Sequence, residues 1–185
     1  GTQATTFAMM DRLGIAQYLS RIGLVIDGNT GESLKAAKQS WMEDPVWQPL
    51  RKHCEDSFVV QDWFELFVAQ NLVTDGLLYP LVYGRFAGEL SQTGGAVVSM
   101  LTEFMDEWYA ESVKWVDAFV KTAAAESPEN KHLLSQWVRD GIASTTEALT
   151  PLAKLMYLED AQPALDEARA ALLARAAKTG LHVHT

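Results

Sequence analysis

The sequence predicts an all-α protein built as an extended helical bundle, and three observations lead there. Apolar residues recur every three or four positions through most of the 185 residues, which is helical spacing. No alternating strand pattern runs for more than a few residues, and no internal repeat or low-complexity tract breaks the chain. Composition is globular, 48% hydrophobic and 21% charged, with five Tyr, seven Phe and six Trp as large, rigid packing groups. Two of the expected helices exceed ~20 residues without internal caps, which favours long antiparallel helices over a compact packing of short ones.

Phe7, Met10, Gly14, Tyr18, Ile22 and Val25 share one stripe and define a first helix from about Thr5 to Asp27. Gly28-Asn29-Thr30-Gly31 ends it, because Gly and Asn tolerate the left-handed conformations found past a helix C-terminus. A shorter helix, Glu32 to Glu43, follows. Asp44-Pro45 stops that one, since proline lacks a donor and disfavours helix in the residue before it. Val46 to about Val59 holds Trp47, Leu50 and Cys54 on one face and is expected to run on through Trp63, Leu66, Phe67, Gln70, Val73 and Leu77, until Pro80 kinks or ends it.

A turn at Ser91-Gln92-Thr93-Gly94-Gly95 leads to the strongest pattern, Val97, Leu101, Phe104, Trp108, Trp115 and Phe119, read as one long helix. Ser127-Pro128-Glu129 is a helix start, with Ser as N-cap, Pro at the first helical position and Glu at the positive dipole end. That helix carries Leu133, Leu134, Trp137 and Val138 through Gly141 towards Leu149. Beyond Pro151 and Pro163 short helical patches are expected, then a peripheral Ala-rich helix from Ala164 to Lys178 and a frayed end from Gly180 to Thr185. One domain over 1–185 is the expectation.

A formal charge of −9 argues against a phosphate-tracking surface, so no nucleic-acid partner is expected. The single cysteine, Cys54, cannot form an internal disulfide, and no run approaches ~20 apolar residues; a soluble, cytoplasmic chain with no membrane partner is expected.

Chemistry is harder to find. A bundle di-iron site needs Glu from two helices and Glu-x-x-His from two others, because residues i and i+3 converge on one face. The literal match here, Glu129 to His132, opens a helix just after Ser127-Pro128, where a capped start with an exposed His is the plainer reading. Glu103 and Glu107 lie one turn apart with Asp106 and Glu111 nearby, but no histidine accompanies them, and a solvated acidic face explains them better. His182 and His184 sit on the tail, and the neighbours His53 and Cys54 point to different faces. No phosphate loop and no Gly-x-Ser-x-Gly elbow is present. The residues alone therefore indicate an acidic helical bundle without a convincing active site.

Three runs carry a resemblance: Met9-Met10-Asp11-Arg12-Leu13-Gly14-Ile15-Ala16-Gln17-Tyr18-Leu19, Leu72-Val73-Thr74-Asp75-Gly76-Leu77 and Phe104-Met105-Asp106-Glu107-Trp108-Tyr109-Ala110. Together they resemble the small (beta) subunit of the hydroxylase component of bacterial multicomponent di-iron monooxygenases of the phenol hydroxylase, toluene and methane monooxygenase type, and specifically its C-terminal portion. The resemblance implies a ferritin-like fold shared with a catalytic alpha subunit, which carries the two irons. Alpha's ligand helices read approximately Asp-Glu-x-x-His-x-x-Gln, Glu-Thr-Gly and Asp-Glu-x-x-His. The matching positions here place Asp11 for Glu and Gly14 for His, Thr74 for Glu, and Glu107 followed by Ala110 where His would be. Losing both imidazoles and a carboxylate should abolish tight iron binding.

What the resemblance implies is a non-catalytic structural subunit with no cofactor of its own, the di-iron centre lying in alpha. The implied partners are alpha, a small gamma subunit, a second beta subunit, and regulatory and NADH-dependent reductase proteins, with phenol or a related aromatic hydrocarbon hydroxylated by dioxygen in alpha. Interfaces favour buried aromatics, so Trp41, Trp47, Trp63, Trp108, Trp115 and Trp137 are the candidate interface residues. The rival readings are an independent metalloenzyme using Glu103, Glu107 and His132, and a stand-alone helical adaptor.

Overall fold

The computed structural model describes residues 2–92 and 95–183, which divide into two compact units, Gly1–Gln48 and Pro49–Thr185. Every described element is helical, in an all-α bundle. None of these helices is long and apolar enough to cross a membrane.

The first unit is a helical hairpin of α1 (Thr2–Ile26) and α2 (Glu32–Glu43). Gly28, Asn29 and Gly31 adopt φ of 69°, 65° and 77°, the left-handed values expected of this turn. The Asp27 carboxylate accepts from the backbone of Thr30 and Ser33 and from the Ser33 hydroxyl at 2.8–3.1 Å, and these bonds hold its pKa below the usual carboxylate value. Phe7, Met9, Met10, Leu13, Tyr18, Val25 and Ile26 of α1 are exposed.

The second unit starts in α3 (Gln48–Asp56), which ends in a single 3₁₀ turn, Ser57–Val59. The helix expected to run unbroken from Val46 to Leu77 is thus interrupted. Val60 is extended and Asp62 starts a new helix, its carboxylate accepting from Phe64 N (2.7 Å) and Glu65 N (3.3 Å). From there one helical run reaches residue 92: α4 (Trp63–Phe67), a first π segment (Val68–Thr74), α5 (Asp75–Tyr79), a second π segment (Pro80–Phe86) and α6 (Ala87–Gln92). Pro80 does not end the run. It occupies the first position of a π segment, whose wider turn accommodates the missing donor.

The single helix expected over Val97 to Phe119 is divided into α7 (Ala96–Thr102) and α8 (Phe104–Glu126). The Thr102 hydroxyl donates back to Val98 O (3.0 Å) and Ser99 O (3.2 Å), a side-chain bond that bends helices. The Ser127-Pro128 start stands: the Ser127 hydroxyl accepts from Asn130 N (3.1 Å). Helix α9 (Pro128–Tyr157) then passes straight through Pro151, against expectation. Ala148, Leu149, Leu152, Ala153 and Tyr157 are buried on both sides of that proline, so packing outweighs its local penalty.

Nor is α10 (Ala161–Lys178) peripheral. Ala161, Ala164, Leu165, Ala168, Leu172 and Ala176 form a buried stripe against α9 and α5. Leu172 approaches Gly76 so closely that a Cβ there would meet its Cδ1 at 2.8 Å. The tail is tied down as far as Leu181, which is 3% exposed, and His182 N donates to Ser135 Oγ (3.1 Å). The core of this unit joins Val68, Leu72, Val73, Leu77 and Leu81 with Met105, Val116 and Val120 of α8 and with Val138, Ile142 and Leu149 of α9.

Candidate functional site

The first π segment ends on Thr74, and the polar centre of the second unit is built around it. The Thr74 hydroxyl donates to Ala69 O (2.9 Å), so towards any other group it can only accept. His53, from α3, places Nε2 3.1 Å from Thr74 Oγ1 and 3.4 Å from Thr145 Oγ1, and Nδ1 3.2 Å from Ser144 Oγ. Since Thr74 must accept, Nε2 carries the proton and Nδ1 accepts from Ser144. Burial pushes the His53 pKa below the ordinary value while Asp56 pulls it up, the balance favouring the neutral ring. His53 therefore pins α3 to the π segment and to α9.

A second polar cluster lies beyond Asp75, which is 2% exposed. Arg175 of α10 donates through Nε to Asp117 Oδ1 (2.7 Å) and through Nη1 to the Tyr109 hydroxyl (3.2 Å), its guanidinium lying 5.8 Å from the Tyr109 ring centre. Burial raises the Tyr109 pKa, Arg175 opposes, and the Asp75 and Asp117 carboxylates raise it further. Tyr79 stacks on Tyr109 at 5.3 Å and 9°. The cation of this cluster is thus an arginine. Sequence reasoning passed over this cluster, although Asp75, set among Leu72, Val73, Gly76 and Leu77, was a carboxylate that burial would force to find partners.

The positions that the resemblance sets against iron ligands have mixed surroundings. In the first unit, Asp11 is exposed and a Cβ on Gly14 would meet nothing within 4 Å. In the second, Thr74 faces His53 while Glu107 and Ala110 are exposed on α8, so these positions do not converge on one point. Among the described residues no group of three or more His, Cys, Asp or Glu is gathered as a metal cage would need. A threonine whose proton is committed to a backbone carbonyl, an exposed glutamate and an alanine do not fit a carboxylate-and-imidazole iron pair.

The remaining candidates scatter. Glu129 and His132 are exposed in the first turn of α9, Glu103 is exposed between α7 and α8, and Cys54 is exposed while its neighbour His53 turns inward. His182 is exposed, and His184 lies outside the described residues. Of the six tryptophans, Trp63 is 65% exposed and the others are half-buried: Trp41 against Trp47 (6.2 Å), Trp108 against Tyr79 (5.3 Å), Trp115 against Phe67 (5.6 Å), and Trp137 on α9. Beside Trp63, Phe58 and Val59 are 85% and 70% exposed. From this exposed corner aromatic contacts run inward, Trp63 to Phe64 (5.1 Å), Phe64 to Phe67 (5.4 Å), and Phe67 to Trp115 and Phe119.

Against known proteins, residues 1–127 match the family described as Methane/Phenol/Alkene Hydroxylase. The chain is 53% identical over 182 residues to the phenol 2-monooxygenase oxygenase component DmpL of Pseudomonas sp. (strain CF600), covering 97% of this chain and 54% of that protein. It is 49% identical over 180 residues to the corresponding component MhpL of Acinetobacter pittii (strain PHEA-2), covering 97% of this chain and 53% of that protein. A solved structure of xenon-pressurized phenol hydroxylase from Pseudomonas sp. OX1 superposes with a TM-score of 0.88 at 49% identity, over 94% of this chain and 52% of that one. The chain thus spans about half the length of the relatives it matches.

Proposed function

This chain belongs to the methane/phenol/alkene hydroxylase family, and from that premise we propose that it is the non-catalytic beta subunit of a phenol hydroxylase-type monooxygenase. It scaffolds a larger alpha chain, whose di-iron centre inserts one atom of dioxygen into phenol or a related aromatic with electrons that come from NADH. A gamma subunit, a second beta subunit, and regulatory and reductase proteins complete the cytoplasmic assembly.

The observation that carries this reading is the state of the ligand positions. Thr74 is engaged by His53 and Ala69, and Glu107 and Ala110 are exposed, so among the described residues of the second unit these positions do not offer iron a converging set of donors. The large exposed apolar side chains of α1 and of the Phe58–Trp63 segment support a docking role, because interaction sites are where large apolar side chains are left exposed together. Metal analysis tests the reading. Iron is expected in the assembly that includes a larger Glu-x-x-His-bearing chain and absent from the isolated subunit; stoichiometric iron in the isolated subunit overturns it.

A further inference from the structure

The corner between α9 and α10 holds a backbone conformation its residue does not favour. Leu158 has φ 53° and ψ −114°, the geometry of the first central residue of a type II′ turn, where glycine dominates. Strain of this kind persists only where the surroundings enforce it. Here it secures no burial: Leu158 is 78% exposed, and Leu155, one turn earlier, is 60% exposed.

The corner is held rigid from within. The Tyr157 hydroxyl donates to Leu81 O (2.5 Å), its ring meets Phe86 edge-on at 6.0 Å, and the Arg85 guanidinium lies 5.1 Å over it while pairing with Glu89 and Glu167. The exposed leucines are therefore presented in a fixed geometry. Beside them Glu159, Asp160 and Asp166 are exposed, Glu167 is neutralised by its pairing with Arg85, and Lys154 is the cation that the sequence carries between 154 and 167.

We propose that Leu155 and Leu158 form the apolar tip of a preorganised docking knob, which enters a socket rimmed by Lys and Arg on a neighbouring hydroxylase subunit. The carboxylates around the tip select a basic rim, and a strained but braced leucine loses little freedom on binding. The inference rests on the subunit reading above, and the experiment separates the two.

The test uses the full subunit assembled with its hydroxylase partners and substitutes Leu158→Gly, Leu155→Ser and the pair Glu159→Lys with Asp160→Lys. Leu158→Gly relieves strain, so the isolated subunit should melt about 2–4 °C higher. The same change removes the tip, so assembly measured by dilution should weaken about tenfold. Leu155→Ser, away from the strained bond, should weaken assembly without raising the melting temperature, and the charge reversal should weaken it most at low salt. Wild-type assembly with Leu158→Gly and Leu155→Ser unchanged overturns the knob and leaves the subunit reading standing. Loss of self-association alone assigns the socket to a second copy and overturns it likewise; a wild-type subunit that joins no larger chain brings down both.

Discussion

Thr74 shows how one hydroxyl can join two elements of the fold through a single side chain. Its proton goes to Ala69 O, across the wide turn of the π segment, and its lone pairs face His53 Nε2. Thr74→Val removes both bonds and leaves Nε2 without its nearer partner, which should cost about 1–2 kcal/mol in urea unfolding. His53 adds a pH dependence. Its folded pKa lies below the ordinary value near 6.5, because burial disfavours the imidazolium. The unfolded chain therefore binds the proton more readily. The contribution of His53 is complete above about pH 6.5 and is lost as pH falls from there through the lowered folded value. Stability measured between pH 7.5 and 5 should fall more steeply in the wild type than in His53→Gln; parallel profiles would refute the assignment of a buried neutral ring.

At the scale of elements, α10 is a strut. Its alanine stripe lets it lie close to α9, and Arg175 ties it to α8 through Asp117 and Tyr109. Arg175→Met should cost about 2 kcal/mol, since it leaves Asp117 without its cation, and Asp117, with a side chain 27% exposed, recovers part of that from water. A lowered urea midpoint at unchanged slope is the expected result; no shift would mean the pair contributes nothing net. The sequence read poorly here for a definite reason. Alanines at helical spacing carry little hydrophobic signal, yet they permit the closest approach, so a helix built on them looks peripheral until its neighbour is known. Pro151 and Pro80 read as breaks for the same reason, because their tolerance depends on packing and on a π turn that no local pattern announces. Where local chemistry decides, as at Gly28-Asn29, Asp44-Pro45 and Ser127-Pro128, helix ends were legible to within a few residues. The candidate site divides in the same way. That Gly14 and Ala110 carry no metal-binding side chain is plain from the sequence, whereas the pairing of His53 with Thr74 joins positions 21 residues apart and needed the fold.

At the scale of the whole molecule, the question is what its exposed apolar side chains are for. Phe58, Val59 and Trp63, close in sequence at the start of the second unit, are 65–85% exposed, and the Trp63 ring continues inward through Phe64 and Phe67 to Trp115. A tryptophan buttressed from behind and open in front has the form of an interface hot spot, where large aromatics lose little entropy and bury much area. Because both side chains lie largely outside the core, Phe58→Ser together with Trp63→Ser should change unfolding free energy by only about 0.5 kcal/mol. Assembly with the proposed larger hydroxylase chain should weaken by about 2 kcal/mol or more, some thirtyfold in dissociation constant. Being apolar, that loss should persist from low to high salt, unlike the loss at the acidic Leu158 corner, where screening diminishes the effect. Measuring both variants across ionic strength therefore separates two surfaces on one subunit. A double variant that assembles as the wild type does would show that the Phe58–Trp63 corner faces solvent in the complex.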